Sequence, residues 1–233
     1  MRTDTSHPYT VAIILAAGCG SRFSREKTKQ KFEILGKSVL ERCLLQFDLA
    51  ECVDEIVVVH KEDEYDFVCG ILKKISKKCT AVIGGKTRAE SARRGFLSVG
   101  DGCEAVLIHD AARCLILPSD IDKIAKETYR CGAACAACEI TDTVKRLSEG
   151  AIVSTLDRTG LVTVQTPQGF SYSLYRDALA ACGDSLEITD DNMRLERMGV
   201  PITPVYVTNG NIKLTREQDL LFAEFILKQR GEG

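Results

Sequence analysis

Positive charge gathers behind a pair of glycines near the start of this 233-residue chain. Gly18 and Gly20 are followed by Arg22, Arg25, Lys27, Lys29 and Lys31. Ala16, Ala17 and the glycines leave their backbone N–H groups uncovered, so the loop can press against a base, ribose or phosphate. The long cationic side chains beside it can then reach several phosphate oxygens, which suits a triphosphate. Further along stand Gly84-Gly85 with Arg88 and Ser91, then Asp110, Arg113, Thr143, Arg158, Thr166 and Lys213. The set is rich in cations and carries one well-placed carboxylate. No Ser-His-Asp set appears with the flanks of a hydrolase, and His109, beside an apolar run, reads as a structural residue. The chemistry that fits is phosphoryl-type transfer, where positioning and stabilisation of charge do most of the catalysis.

Each of these residues has a plainer reading. The basic run could be a solvated flank of a tight β-to-α turn, Lys213 and Arg158 surface charges, Ser91 a helix hydroxyl, and Thr166 the end of a strand before Pro167. Two familiar glycine loops do not fit. A P-loop needs Lys-Ser or Lys-Thr at a set distance after its first glycine, and a dinucleotide fingerprint needs a third glycine where Phe23 stands. Cys131, Cys135 and Cys138 are spaced C-x3-C-x2-C, as in cluster-binding radical enzymes. However, Gly132 to Ile140 reads as a buried strand, on which Cys135 and Cys138 would point to opposite faces, so small buried hydrophobes are the better reading.

These residues need elements to hold them. Val11 to Leu15 is an unbroken apolar run, the pattern of a strand covered on both faces. Strands are expected again at Glu55–His60, Cys79–Ile83 and Ala105–His109. Helices are expected from Val39 (capped by Ser38) to Leu49, from Glu62 to about Ser76, and from Thr87 to Leu97. This alternation predicts an α/β fold: a Rossmann-like, doubly wound, mostly parallel sheet, with Gly18, Gly85 and Asp110 at one edge. A helix at Ser119–Tyr129 and the strand at 132–140 continue it. From 139 to 162 the pattern changes to two polar alternating strands around Glu149-Gly150, a hairpin arm too poor in apolar surface to stand alone. After it come a returning strand at 162–168, a helix at 171–181, a short helix capped by residues 189–191, a strand at 202–207 and a last helix from Thr215 to about Lys228. One domain spanning 1–233, with the arm inside it, is the expected organisation.

Composition narrows the field. Lys and Arg number 31 against 33 Asp and Glu, so nothing global points to a nucleic-acid partner, and any anion site must come from local clustering. No apolar run is long enough for a membrane span, and Met1 to Thr10 is too polar for a signal peptide. Eleven scattered cysteines without an export signal are expected to be reduced thiols in the cytoplasm.

Taken together, Leu15-Ala16-Ala17-Gly18-x-Gly20-x-Arg22 with Lys29-Gln30, Gly84-Gly85 with Arg88 and Ser91, His109 to Arg113, Asp142-Thr143-x-Lys145, Asp157-Arg158, Gln165 to Gln168, Thr189-Asp190 and Asn211-Ile212-Lys213-x-Thr215 carry a resemblance. In that order and spacing, they resemble the 2-C-methyl-D-erythritol 4-phosphate cytidylyltransferases of the non-mevalonate isoprenoid pathway, which share a nucleotide-diphospho-sugar transferase-like fold. The resemblance implies transfer of CMP from CTP with release of pyrophosphate. Arg22 and Lys29 would stabilise charge on the α-phosphate. Ala16, Ala17, Gly18, Gly20, Gly85, Lys86, Ser91, Asp110 and Ala111 would bind the nucleotide, and Arg158, Lys213, Thr143, Thr166, Arg113 and Thr189 would position the acceptor. It further implies magnesium held mainly by the triphosphate, with no protein metal site. It also implies a homodimer in which the 139–162 arm carries Thr143 and Arg158 to the other subunit's site. The same fold serves ribitol 5-phosphate or another polyol phosphate, and a non-catalytic nucleotide-binding protein could also keep it. Three departures stand out. Thr28 replaces the proline usual before Lys29, which removes a rigid residue ahead of that lysine. Cys114 replaces the proline after Arg113, and 191–194 is bulkier than usual.

Overall fold

The computed structural model describes residues 7–18, 28–182, 188–208 and 210–232. The first apolar run forms β1 (Thr10–Leu15), buried throughout. Side chains alternate along it, so Ala12 and Ile14 enter one layer of the core and Val11, Ile13 and Leu15 the other. After a 3-10 turn at Lys29–Lys31 comes a further piece of regular structure. It is a small ribbon of β2 (Glu33–Ile34) and β3 (Lys37–Ser38), turned by Leu35 and Gly36, both at positive φ. Ser38 caps α1 (Val39–Leu49) as expected, accepting from the Glu41 N–H.

β4 (Glu55–His60) leads through a 3-10 turn at Glu62–Glu64 into α2 (Tyr65–Leu72), which stops short of the expected Ser76. The physical reason is Asp48, whose carboxylate accepts from the Ser76 and Lys77 N–H groups and from the Ser76 hydroxyl, holding 76–77 out of a helix. The chain continues through β5 (Lys78–Ile83), α3 (Arg88–Leu97), β6 (Ala105–Asp110), α4 (Pro118–Cys131), β7 (Ala133–Glu139), β8 (Lys145–Ser148), β9 (Ala151–Thr155), β10 (Val162–Ser171), α5 (Tyr172–Cys182), α6 (Asn192–Arg197), β11 (Thr203–Tyr206) and α7 (Asp219–Gln229). The last helix starts four residues later than Thr215. The Asp219 carboxylate accepts from the Thr215 and Arg216 N–H groups, so the acid reaches back over the turn that the threonine was expected to cap.

Seven strands make one sheet in the order β11-β7-β10-β6-β1-β4-β5. β10 runs antiparallel to both neighbours, and the other pairings are parallel. The chain winds outward from β1 through β4 to β5, then crosses back to β6 on the other side of β1. That reversal puts a crevice at the carboxyl ends of β1 and β6. Helices α1, α2, α4 and α7 cover one face, and α3, α5 and α6 the other. This is the expected doubly wound α/β architecture.

β8 and β9 pair with each other around Glu149 and Gly150, both at positive φ, and every residue in them is exposed. Leu147, Ile152 and Val153 are 66%, 66% and 55% exposed, so the arm is less polar than its sequence suggested. The three cysteines at cluster spacing do not converge. Cys131 ends α4 with its thiol against the Thr203 hydroxyl, and Cys135 and Cys138 lie on opposite faces of β7. The ten described cysteines are free thiols.

Helix α3 sits close on the sheet because Gly95 lacks a side chain. A Cβ there would lie 2.5 Å from Ile13 Cγ2 and 2.8 Å from Val59 Cγ2. Both neighbours are β-branched and stiff, so the clash cannot be relieved by a rotamer change. Gly95→Ala is therefore expected to destabilise the fold by roughly 1–3 kcal/mol despite the better helix propensity of alanine, read as a lower urea midpoint.

Candidate active site

The sheet's switch point opens into a cavity of about 860 Å³. Its base is the turn after β1, where Ala17 and Gly18 line it. Gly84, after β5, meets that turn closely, since a Cβ on it would lie 2.5 Å from the Cβ of Ala17 and 3.0 Å from Ser91 Oγ. Only glycine allows this approach, and it leaves a notch walled largely by backbone. The Gly85 N–H donates to Ser91 Oγ at 3.0 Å, so the buried serine keeps its own proton to offer. Thr87 caps α3 by accepting from the Glu90 N–H, while the Glu90 carboxylate accepts from the Lys86 N–H at 2.7 Å. Arg94 ties the same loop down, donating to the Gly84 carbonyl and pairing with Glu90.

Charge in the cavity is organised around Asp110, at the end of β6. Its Oδ1 accepts from Arg88 Nε at 3.0 Å and its Oδ2 from Lys213 Nζ at 2.5 Å. Burial pushes this carboxyl up, but Arg88 and Lys213 outweigh it and hold it well below the usual carboxylate range. Arg88 continues the chain, donating through Nη1 to Asp191 Oδ2 at 2.7 Å. Burial alone would lower the guanidinium's pKa, but Asp191 and Asp110 raise it beyond the ordinary arginine value. Asp191, fully buried, also accepts from the Tyr175 hydroxyl at 2.5 Å, and its N–H donates to Gln168 Oε1. On another wall Lys29 reaches into the cavity and donates to the Leu214 carbonyl at 2.9 Å, while Gln30 Nε2 holds the Ala16 carbonyl.

Behind Asp110 lies a buried relay that fixes its backbone. His109 Nε2 is 3.2 Å from the Arg113 carbonyl, which can only accept, so Nε2 carries the proton. Nδ1 then accepts from the Thr166 hydroxyl, whose oxygen accepts the Asp110 N–H at 3.1 Å. Burial drives the His109 pKa down to about 3, so the ring is neutral.

Chain comparisons put this geometry in context. The family model described as "IspD: 2-C-methyl-D-erythritol 4-phosphate cytidylyltransferase" matches residues 10–229. The chain belongs to this family. It is 36% identical to the 2-C-methyl-D-erythritol 4-phosphate cytidylyltransferase of a Synechococcus strain over 94% of this chain and 99% of that protein. It is 40% identical to a bifunctional IspD/IspF enzyme from an Anaeromyxobacter strain, of whose length it spans 57%. Among solved structures, the 4-diphosphocytidyl-2C-methyl-D-erythritol synthase of Anaerococcus prevotii superimposes with a TM-score of 0.84 at 28% identity, covering 95% of this chain and 99% of that one.

Against the cytidylyltransferase expectations, Ala17, Gly18, Lys29, Gly85, Lys86, Ser91, Asp110 and Lys213 line the one cavity. Gly20 and Arg22 lie outside the described residues. Ala16 and Ala111 sit beneath the floor with their N–H groups bonded to the Val59 and Leu15 carbonyls, so their backbone donors face the protein rather than the cavity. Thr166 is likewise buried and engaged with His109 and Asp110. Arg113 donates to the Asn211 carbonyl beside the site. Thr189 is exposed, with its hydroxyl on Met193 Sδ. Thr143 and Arg158 are exposed on the arm, where Arg158 caps the Ile140 and Thr141 carbonyls, so a single chain does not bring them to the cavity. The sequence reading counted Arg88 among the site's cations without giving it a partner, took Asp191 only as part of a helix cap, which its side chain does not form, and gave no role to Tyr175. A buried Asp191 beside Thr189-Asp190 carries no periodic or motif signal of its own, and its partner Arg88 lies 103 residues away.

The relay predicts a pH dependence. A histidine kept neutral by burial binds a proton near pH 6.5 when unfolded but only near pH 3 when folded, so the unfolded state takes up more protons in between. Stability is full above pH 6.5 and falls as the pH drops towards 3. His109→Gln is expected to shrink the loss in unfolding free energy between pH 7 and pH 5, measured by urea denaturation, by about 2 kcal/mol.

Proposed function

We propose that the cytidylyl transfer of this family proceeds in this cavity through charge held in place, with no protein atom joining the substrate. A phosphate oxygen of 2-C-methyl-D-erythritol 4-phosphate attacks the α-phosphorus of CTP and the bond to pyrophosphate breaks. The attacking oxygen is already ionised, so no general base is required, and Asp110, locked between two cations, would be a poor one. Negative charge grows on the α-phosphate and on the leaving pyrophosphate. Lys29, together with Arg22, is assigned to that charge. The cytosine is assigned to the notch of Ala17, Gly84, Gly85 and Ser91, whose tightness favours a pyrimidine. Lys86 and Asp110 are assigned to the ribose and phosphates.

The acceptor is assigned to Lys213, Arg113 and Thr189, with Thr143 and Arg158 of the partner subunit completing the pocket. The homodimer is supported by the arm itself, a two-stranded hairpin that presents Leu147, Ile152 and Val153 to solvent in one chain. Magnesium fits as an ion carried in by the nucleotide. Asp110 is the carboxylate placed to add a ligand, and its two oxygens already face cations, so the triphosphate would supply most of the coordination. Bound there, the ion would neutralise phosphate charge. No helix among the described residues is long and apolar enough to cross a membrane, and the free thiols suit the cytoplasm, where we place the enzyme.

The observation that carries this reading is that Lys29, Lys86, Arg88 and Lys213 line one cavity together with Ala17, Gly84, Gly85 and Ser91 of the notch. Pyrophosphate release from CTP is expected with methylerythritol phosphate and not with ribitol 5-phosphate, and the reverse preference would overturn the acceptor. Lys29→Ala is expected to lower kcat by roughly 100-fold or more, as for loss of one oxyanion stabiliser, with the fold unchanged. Arg158→Ala should chiefly raise the acceptor KM. At low acceptor, mixing Lys29→Ala and Arg158→Ala chains should restore about a quarter of the sites, since a mixed dimer holds one intact site. No recovery would refute the shared site.

A further inference from the structure

We propose that Glu64 is a positioning residue for Lys29, acting through the Thr28 hydroxyl and the Lys31 ammonium. Glu64 closes the 3-10 turn after β4 and is 1% exposed, an unusual place for a carboxylate. Its Oε1 accepts from Thr28 Oγ1 and lies 3.8 Å from Lys31 Nζ. The same ammonium stands 5.5 Å from the centroid of the Phe67 ring on α2. The residues on either side of the Lys29-Gln30 pair are thus both tied to the segment that follows β4. Gln30 is tied to the Ala16 carbonyl. With its neighbours held, Lys29 is directed across the cavity to the Leu214 carbonyl.

The backbone explains why a tie is needed. Thr28 has φ −68°, the value a proline ring would impose on its own, and an extended ψ of 143°. Threonine has no ring, and the next residues form a 3-10 turn of three residues with no side-chain cap. A buried acid aimed at its hydroxyl supplies the missing constraint from outside the turn. A carboxylate removed from water is tolerated where such partners meet it, and each described side-chain partner of Glu64 belongs to the 28–31 segment. The wall carrying His60, Lys61 and Glu62 and the wall carrying Lys29 are therefore one unit.

This inference rests on Lys29 acting on the nucleotide, so its test separates the two. Steady-state pyrophosphate release with CTP and methylerythritol phosphate is measured for Thr28→Val, Thr28→Ser, Lys29→Ala, Thr28→Val/Lys29→Ala, Glu64→Ala and Glu64→Ala/Thr28→Pro, each with its thermal melt. Thr28→Val should lower kcat roughly 10-fold or more, as expected when a charged group is misplaced by a fraction of an ångström to an ångström, with an unchanged melt, while Thr28→Ser keeps the rate. In the Lys29→Ala background, Thr28→Val should cost nothing more, because the two act as a unit. Thr28→Pro should return most of the rate lost in Glu64→Ala, a rescue that a purely structural Glu64 would not give. Wild-type kcat in Thr28→Val alongside a large Lys29→Ala loss overturns the tie and leaves Lys29 standing. An equal Thr28→Val loss with and without Lys29 also overturns it. A fully active Lys29→Ala removes the assignment of Lys29 and the tie with it. Should Glu64→Ala fail to fold, the Thr28→Val comparison decides alone.

Discussion

Asp110 ends β6 with each carboxylate oxygen on a different cation, Arg88 at 3.0 Å and Lys213 at 2.5 Å, and with 7% of its surface open. A buried charge of this kind is stable only while its partners stay. Losing both would leave an uncompensated buried ion at a cost of about 3–5 kcal/mol, while the intact cluster contributes far less because desolvation offsets the attraction. Its value is in geometry. Four residues far apart in the chain, Arg88, Asp110, Asp191 and Lys213, are joined into one chain of ionic bonds, which brings the head of α3, the end of β6, the segment before α6 and the loop before α7 round one cavity. Tyr175, Gln168, Thr166 and His109 extend the constraint inward with neutral hydrogen bonds.

A cavity for a charged ligand also needs room and a fixed approach. Room comes from glycine, with Gly84 pressed against Ala17 so that the notch is walled by backbone. Cations then line it from separate elements, which suits a reaction that moves charge between phosphate oxygens and asks for no nucleophile from the protein. The enzyme's contribution is a field prepared in advance. Such a field is only as good as the stiffness of the groups that make it, which explains buried acids behind both Arg88 and the Lys29 turn.

Much of the frame was legible from residue order. The unbroken apolar run at 11–15 has the pattern of a doubly covered strand, and Ser38 and Thr87 cap α1 and α3 where short polar residues precede apolar periodicity. Errors fell where a carboxylate took the backbone donors that a helix would have used or left to its cap. Asp48 stops α2 early by taking the N–H groups of 76 and 77, and Asp219 moves the start of α7. The exposure of Leu147, Ile152 and Val153 was hidden because an alternating pattern says that one face is apolar, not that it is uncovered.

The amino-acid order by itself determined the α/β alternation, the family, the reaction it implies and the glycine and lysine positions, because each is written in local spacing and residue type. The tertiary structure alone decided that Thr166 and Ala111 serve the floor of the site, that Asp191 holds Arg88 on Asp110, and that Glu64 stands behind Thr28. These are contacts between side chains up to 103 residues apart. Such pairings leave no periodic trace, since a buried charge is defined by what surrounds it in space and not by its neighbours along the chain.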